Sequence, residues 1–139
     1  MSVITVANTK GGVGKTTSAI FIANEFARVG RDVTVIDLDK QGSATSWADK
    51  AKDRGSPLPF TVEVSNAKRV ARMVQDLPED HLLIIDTPPG DSAVIEAAMA
   101  TSDFIIVPTQ PSELDTERVW ETIPAVKDGQ LYGVLITGA

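Results

Sequence analysis

Short apolar runs recur along the chain at Val3–Ala7, Asp32–Asp37, Thr61–Val64, Leu82–Asp86, Phe104–Pro108 and Leu131–Thr137. Each has the length of a strand and is too short for a helix. The run Leu82-Leu83-Ile84-Ile85 contains no polar position, which predicts a strand buried on both faces. Between these runs the apolar residues take helical spacing, over Thr16–Val29, Ser43–Asp53, Asn66–Gln75, Ser92–Ala100 and Ser112–Lys127. Pro124 predicts an end or a kink in the last of these. Strand and helix alternate through short connections. That order predicts an α/β fold, a mostly parallel sheet with helices on both faces, in a single domain over residues 1–139. Residues 54–60 form the clearest loop, and no internal repeat or low-complexity segment interrupts the pattern. The run at 131–137 reads as a central strand with no helix after it, so a chain incomplete at its C-terminus is expected.

Composition narrows the chemistry. With 139 residues and 42% hydrophobic positions the chain can bury one core. It contains no cysteine, which excludes disulfides, cysteine-ligated zinc and iron–sulfur clusters held by this chain. No apolar run approaches the ~20 residues of a membrane span, and no leader peptide is visible. A cytoplasmic protein with no membrane partner is expected. The net charge of −6 means that any nucleic-acid contact needs a local basic patch.

Three segments carry chemistry, each following an apolar run. The first is Asn8-Thr9-Lys10-Gly11-Gly12-Val13-Gly14-Lys15-Thr16-Thr17. A glycine-rich loop between a strand and a helix can turn its N–H groups around a phosphate chain, and the helix adds its positive N-terminal end. Lys15 is placed to reach the β- and γ-phosphates, and the Thr16 hydroxyl to bind Mg²⁺. Thr9 stands where the common pattern has its first glycine, and Lys10 is an additional lysine. Lys15 already occupies the phosphate side, so Lys10 is expected to reach a nucleotide on a second copy of the chain. The second segment is Val35-Ile36-Asp37-Leu38-Asp39-Lys40-Gln41-Gly42-Ser43. Two carboxylates spaced by two point the same way on an extended segment. Asp39 is the candidate to orient or deprotonate water, and Asp37 the candidate for Mg²⁺ or its water shell. The third segment, Leu82-Leu83-Ile84-Ile85-Asp86-Thr87-Pro88-Pro89-Gly90, ends a buried strand in an aspartate suited to hold Mg²⁺, mostly through water.

Lys10-Gly11-Gly12-Val13-Gly14-Lys15-Thr16-Thr17 resembles the deviant Walker A motif of the ParA/MinD superfamily. Asp37 to Gly42 is similar to that family's Walker A′ motif, with Lys40 in place of a proline, and Leu82–Asp86 to its Walker B strand. The resemblance covers nearly the whole chain and implies a P-loop NTPase-type three-layer sandwich. It implies ATP and Mg²⁺ as ligands, with Lys10 through Thr17 around the nucleotide. Lys10, Lys15 and Asp39 would serve catalysis, and Thr16, Asp37 and Asp86 would serve the metal. It further implies an ATP-dependent homodimer, non-specific DNA binding by that dimer, and a ParB-like partner that stimulates weak hydrolysis in plasmid or chromosome partition. The protein would be cytoplasmic and nucleoid-associated when ATP-bound. Because the loop begins at residue 8, the small form without an N-terminal helix-turn-helix is expected.

Other readings share parts of this pattern. A MinD-like membrane-cycling ATPase would carry a C-terminal amphipathic helix. A dethiobiotin-synthetase-like ligase fits Lys10 less well, and a nucleotide-binding module with negligible turnover needs no catalytic lysine. His81 reads as a surface or capping residue, since no second histidine and no cysteine accompany it. Trp47 and Trp120 read as packing residues on helices. Lys68, Arg69 and Arg72 read as a solvated helix face, with DNA contact the minority reading. Thr109-Gln110-Pro111-Ser112-Glu113 lies at the ligand-facing end of its strand and implies a place near the nucleotide or the dimer interface.

Overall fold

A computed structural model describes residues 2–7, 14–39, 42–88, 90–111, 117, 120, 123–125 and 130–136. The apolar runs form strands β1 (Ser2–Val6), β2 (Val33–Asp37), β3 (Thr61–Val64), β4 (Leu82–Asp86), β5 (Phe104–Thr109) and β6 (Leu131–Ile136). Between them lie helices α1 (Lys15–Arg28), α2 (Ser43–Asp53), α3 (Ala67–Asp76) and α4 (Ser92–Ala100). Among the described residues the strands make one six-stranded sheet in the order β3-β2-β4-β1-β5-β6. Every pairing in it is parallel. The continuous apolar runs explain the order. β2 and β4 are buried at every position and lie inside the sheet, while β3, exposed at three of its four positions, takes an edge.

Helices cover both faces. Ala19, Ile20 and Ala23 of α1 and Ala44 of α2 pack on Val6, Val33, Val35, Leu82 and Ile84. The alanines let both helix backbones come close to the sheet. On the other face Val70 of α3 and Ala98 of α4 meet Val3, Ile36, Leu83 and Ile85. Farther along that side, Ile95 and Met99 of α4 pack with Ala7, Ile105 and Val107. Each fully buried aliphatic side chain contributes on the order of 1.5–3 kcal/mol.

The structure departs from the sequence reading at identifiable places. Asn66 lies outside α3, where its carboxamide oxygen accepts from Arg69 N at 3.0 Å and caps the helix. The helix expected over 112–127 falls largely outside the described residues. Within it Ile123–Ala125 form a 3-10 turn containing Pro124. Trp120, expected to pack, is 67% exposed, because it is Ile123 of this segment that packs against the core. Trp47 does pack, and it meets Phe21 edge-to-face at 6.2 Å. β6, read as central, takes the sheet edge among the described strands, with Leu131, Tyr132, Val134, Leu135 and Ile136 exposed. Thr137, Gly138 and Ala139 lie outside the described residues. His81 is half-buried, with its Nε2 bonded to Thr34 Oγ1 at 2.9 Å.

Candidate functional site

The three chemical segments converge because their strands are neighbours in register. Asp86 ends β4 level with Asp37 of β2 on one side and Val6 of β1 on the other. In a parallel sheet this C-terminal edge is where ligands bind. Two cross-links fix its shape. Thr87 Oγ1 donates to the Val6 carbonyl at 2.8 Å, tying the end of β4 to the start of the glycine-rich segment. Leu38 N donates to the Asp86 carbonyl at 3.0 Å, holding the β2 exit against β4.

Gly14 enters α1 with φ 83°, a left-handed conformation that glycine adopts without steric cost. No side chain caps α1 and no acidic residue occupies its first turn. Its leading N–H groups and its dipole therefore face the edge where Asp86 sits, an arrangement suited to an anion. Lys10, Gly11, Gly12 and Val13 lie outside the described residues, as do Lys40, Gln41, Pro89, Ser112 and Glu113. Thr17 is exposed in the first turn of α1.

Lys15 is buried, and burial lowers its pKa below the usual lysine range, opposed by the negative charges of Asp86 and Asp39. A cation held there at a cost in desolvation attracts an anionic ligand strongly. Thr16 Oγ1 donates to Asp86 Oδ2 at 2.7 Å. The other oxygen, Asp86 Oδ1, is buried with no hydrogen-bond partner among the described residues. Burial raises the Asp86 pKa from 3.8 to about 6, with the Thr16 bond opposing and the Asp37 charge reinforcing the shift. A buried carboxylate oxygen without a partner, beside a threonine hydroxyl, is an all-oxygen donor set that fits a hard divalent cation. Among the described residues no three carboxylate, histidine or cysteine side chains converge on one point. A cation at Thr16 and Asp86 would therefore take most of its ligands from water and from phosphate, as Mg²⁺ does.

Asp37 is fully buried and engaged at both oxygens. Oδ1 accepts from Asp39 N at 3.0 Å, and Oδ2 accepts from both the N and Oγ1 of Thr45 at 3.2 Å. It thus caps the first turn of α2 and orients Asp39, which is half-buried at the mouth of the site. Gly42, at φ 66°, caps the start of α2, and its N donates to the Asp39 carbonyl at 2.9 Å. Thr45 and Thr87 carry structural roles that the sequence reading did not assign. Thr87 directly follows Asp86, whereas Thr45 lies eight residues after Asp37, so only the first is signalled by its position in the sequence. An apolar cavity of about 570 Å³ lies instead at the opposite end of the strands, lined by Ser2, Ile22, Phe26, Phe104 and Leu131 among others. Its lining includes Asp103 and Arg31 but neither strand-end aspartate of the nucleotide edge and no residue of the glycine-rich segment, so it is not the candidate site.

Comparisons with known proteins bear on the family and the fold. The family profile described as CbiA, the CobQ/CobB/MinD/ParA nucleotide binding domain, matches residues 4–137. The chain is 35% identical over 138 residues to the maintenance of carboxysome distribution protein A of Gloeobacter kilaueensis, covering 97% of this chain and 62% of that protein. It is 32% identical to the chromosome-partitioning ATPase Soj of Thermus thermophilus, covering 96% of this chain and 68% of the relative. The chain thus spans about three fifths to two thirds of the length of these relatives. The structure of cobyrinic acid a,c-diamide synthase from Mycobacterium smegmatis, with bound ATP analog and magnesium, superposes with TM-score 0.80 at 24% identity. That match covers 98% of this chain and 74% of the synthase and reflects the shared fold.

Proposed function

This chain belongs to the CobQ/CobB/MinD/ParA nucleotide binding domain family, and from that premise we propose that it is an ATP- and Mg²⁺-dependent ATPase of the partition type. The observation that carries the reading is the contact of Thr16 with Asp86, whose second oxygen is unpartnered, beside buried Lys15 at the start of α1. Thr16 and Asp86 would hold Mg²⁺, with Asp37 acting through the water shell and through its hold on α2. Mg²⁺ would neutralise charge on the phosphates when bound. Lys15 would bind the β- and γ-phosphates, and the N–H groups of Gly11, Gly12, Val13, Gly14 and the first turn of α1 would cradle them, with Thr17 closing the loop. Asp39 would position the attacking water.

Lys10 would reach the nucleotide of a second copy, so that ATP, and not ADP, favours a homodimer. The dimer would bind DNA without sequence preference, and a ParB-like partner would stimulate turnover. The protein would be cytoplasmic, associated with the nucleoid in its ATP state. The name of the Thermus relative supports chromosome partition as the task. That of the 35%-identical relative favours a second version, in which the same cycle serves carboxysome distribution. Among the described residues no helix is long and apolar enough to cross a membrane.

The test is sedimentation velocity with ADP and then with ATP and Mg²⁺, with phosphate release measured alongside. The expected result is a larger species only with ATP, lost in Lys10→Ala, and a dimer with impaired turnover in Asp39→Ala. A mass independent of nucleotide, or full turnover in Lys10→Ala, would overturn the switch.

A further inference from the structure

A second surface has the chemistry of a phosphate-binding groove and runs along α2 from Ser43 to the loop at Ser56. Along the outer side of α2 runs a cavity of about 480 Å³ lined by Ser43, Ser46, Trp47, Lys50, Ala51, Arg54 and Ser56. Every polar side chain in that lining can donate a hydrogen bond, and none is a carboxylate. The chain carries 19 acidic against 13 basic residues, so a donor-only groove is not what its composition would supply at random. Lys50 stands in the last turn of α2 and Arg54 at its C-cap four residues on, about one helical turn away. Neither has an ion-pair partner among the described residues. Trp47 forms an apolar wall, held in place by its edge-to-face contact with Phe21. Two cations one helical turn apart, flanked by hydroxyls and an aromatic edge, match successive phosphates and the sugar between them.

We infer that this α2 groove is a docking site for the phosphate backbone of duplex DNA, with Lys50 and Arg54 as the two phosphate contacts. The inference rests on the DNA-binding reading above and names the residues that perform it. It also supplies the local basic patch that a chain of net charge −6 requires. The Lys68, Arg69 and Arg72 cluster on α3 is the alternative basic patch. It projects from the opposite face of the sheet, and none of its residues lines the α2 groove. The groove also has a physical link to the nucleotide edge, because the first turn of α2 is held by Asp37 through Thr45.

The experiment is fluorescence anisotropy of two unrelated duplexes with the purified protein, ATP and Mg²⁺, over a series of salt concentrations. Wild type is compared with Lys50→Gln/Arg54→Gln and with Lys68→Gln/Arg69→Gln/Arg72→Gln. ATP affinity and thermal midpoint confirm that each variant is folded. The groove variant should lose about tenfold or more in affinity for both duplexes. Its log–log salt slope should shrink by about 2, near 0.9 for each lost phosphate contact. ATP affinity should not change, and the α3 variant should bind as wild type does. If wild type binds neither duplex, the DNA reading falls and the groove assignment falls with it. If wild type binds and the groove variant matches it in affinity and slope, only the groove assignment falls. A groove variant that keeps DNA but loses retention on polyglutamate would overturn the inference in favour of an acidic protein partner.

Discussion

Replacing Asp86 by asparagine separates the stability of the fold from the charge of its site. Asparagine keeps the shape of the side chain and an oxygen that can accept from Thr16 Oγ1, so the 2.7 Å contact survives. What disappears is a buried negative charge. Burial, opposed by the Thr16 bond and reinforced by Asp37, raises this carboxyl from 3.8 to about 6 in the metal-free protein. The folded state therefore holds the proton more tightly than the unfolded chain does. Below about pH 4 the group is protonated in both states and costs nothing. As pH rises toward 6 the unfolded chain ionises freely while the fold resists, so stability falls and stays lower above that range. The interval from 3.8 to about 6 corresponds to roughly 3 kcal/mol, at about 1.4 kcal/mol per unit. Urea unfolding in EDTA without nucleotide measures it. Asp86→Asn should exceed wild type by about 2–3 kcal/mol near pH 7.5 and by roughly half that near pH 5. With ATP present, adding Mg²⁺ should narrow the margin, since only wild type gains the Mg²⁺-dependent part of the ligand's stabilisation. A variant less stable than wild type near pH 7.5, or a margin independent of pH, would refute the account of Asp86 as a site strained until a cation arrives.

Thr87→Val preserves volume but removes the hydroxyl that donates to the Val6 carbonyl at 2.8 Å. It should cost about 1 kcal/mol in urea unfolding and raise the KM for ATP more than it lowers kcat, because the loop entrance is loosened. An unchanged KM would show that this cross-link does not shape the loop. Val134→Lys places a charge on β6, which lies at the edge among the described strands and where Val134 is 47% accessible. Light scattering should report less concentration-dependent association in the variant, as edge lysines oppose strand-to-strand pairing. Equal association in both proteins would mean that self-association proceeds through another surface.

Much of this architecture is legible in the chain because its strands are apolar without interruption. Leu82–Ile85 admits no face for solvent, so its place inside the sheet follows from the residues alone. The strand-terminal aspartates and the Gly14-Lys15-Thr16 step into α1 are local signals, and the structure brings Thr16, Lys15, Asp37 and Asp86 to one edge. Sequence spacing cannot show that Asp37 is occupied by Thr45, because that bond depends on where α2 packs and not on which residues precede it. The same holds for Thr87 and Val6, joined across 81 positions only by the β1–β4 register. Trp120 misleads for a related reason. An aromatic residue on an amphipathic stretch suggests burial, and only the packing of Ile123 decides which side faces the core. β6 has the composition of a central strand and stands at the edge only among the described strands.

The most direct test of the central claim is calorimetric titration of ATP into the protein in Mg²⁺ and in EDTA, with Lys15→Ala and Asp86→Asn beside wild type. The account predicts one site per chain whose affinity falls sharply in EDTA. Binding should be abolished in Lys15→Ala, and in Asp86→Asn it should persist without a response to Mg²⁺. Tight binding indifferent to Mg²⁺ in wild type and unaltered by Lys15→Ala would place the nucleotide elsewhere on the molecule and contradict the site described at the end of β4.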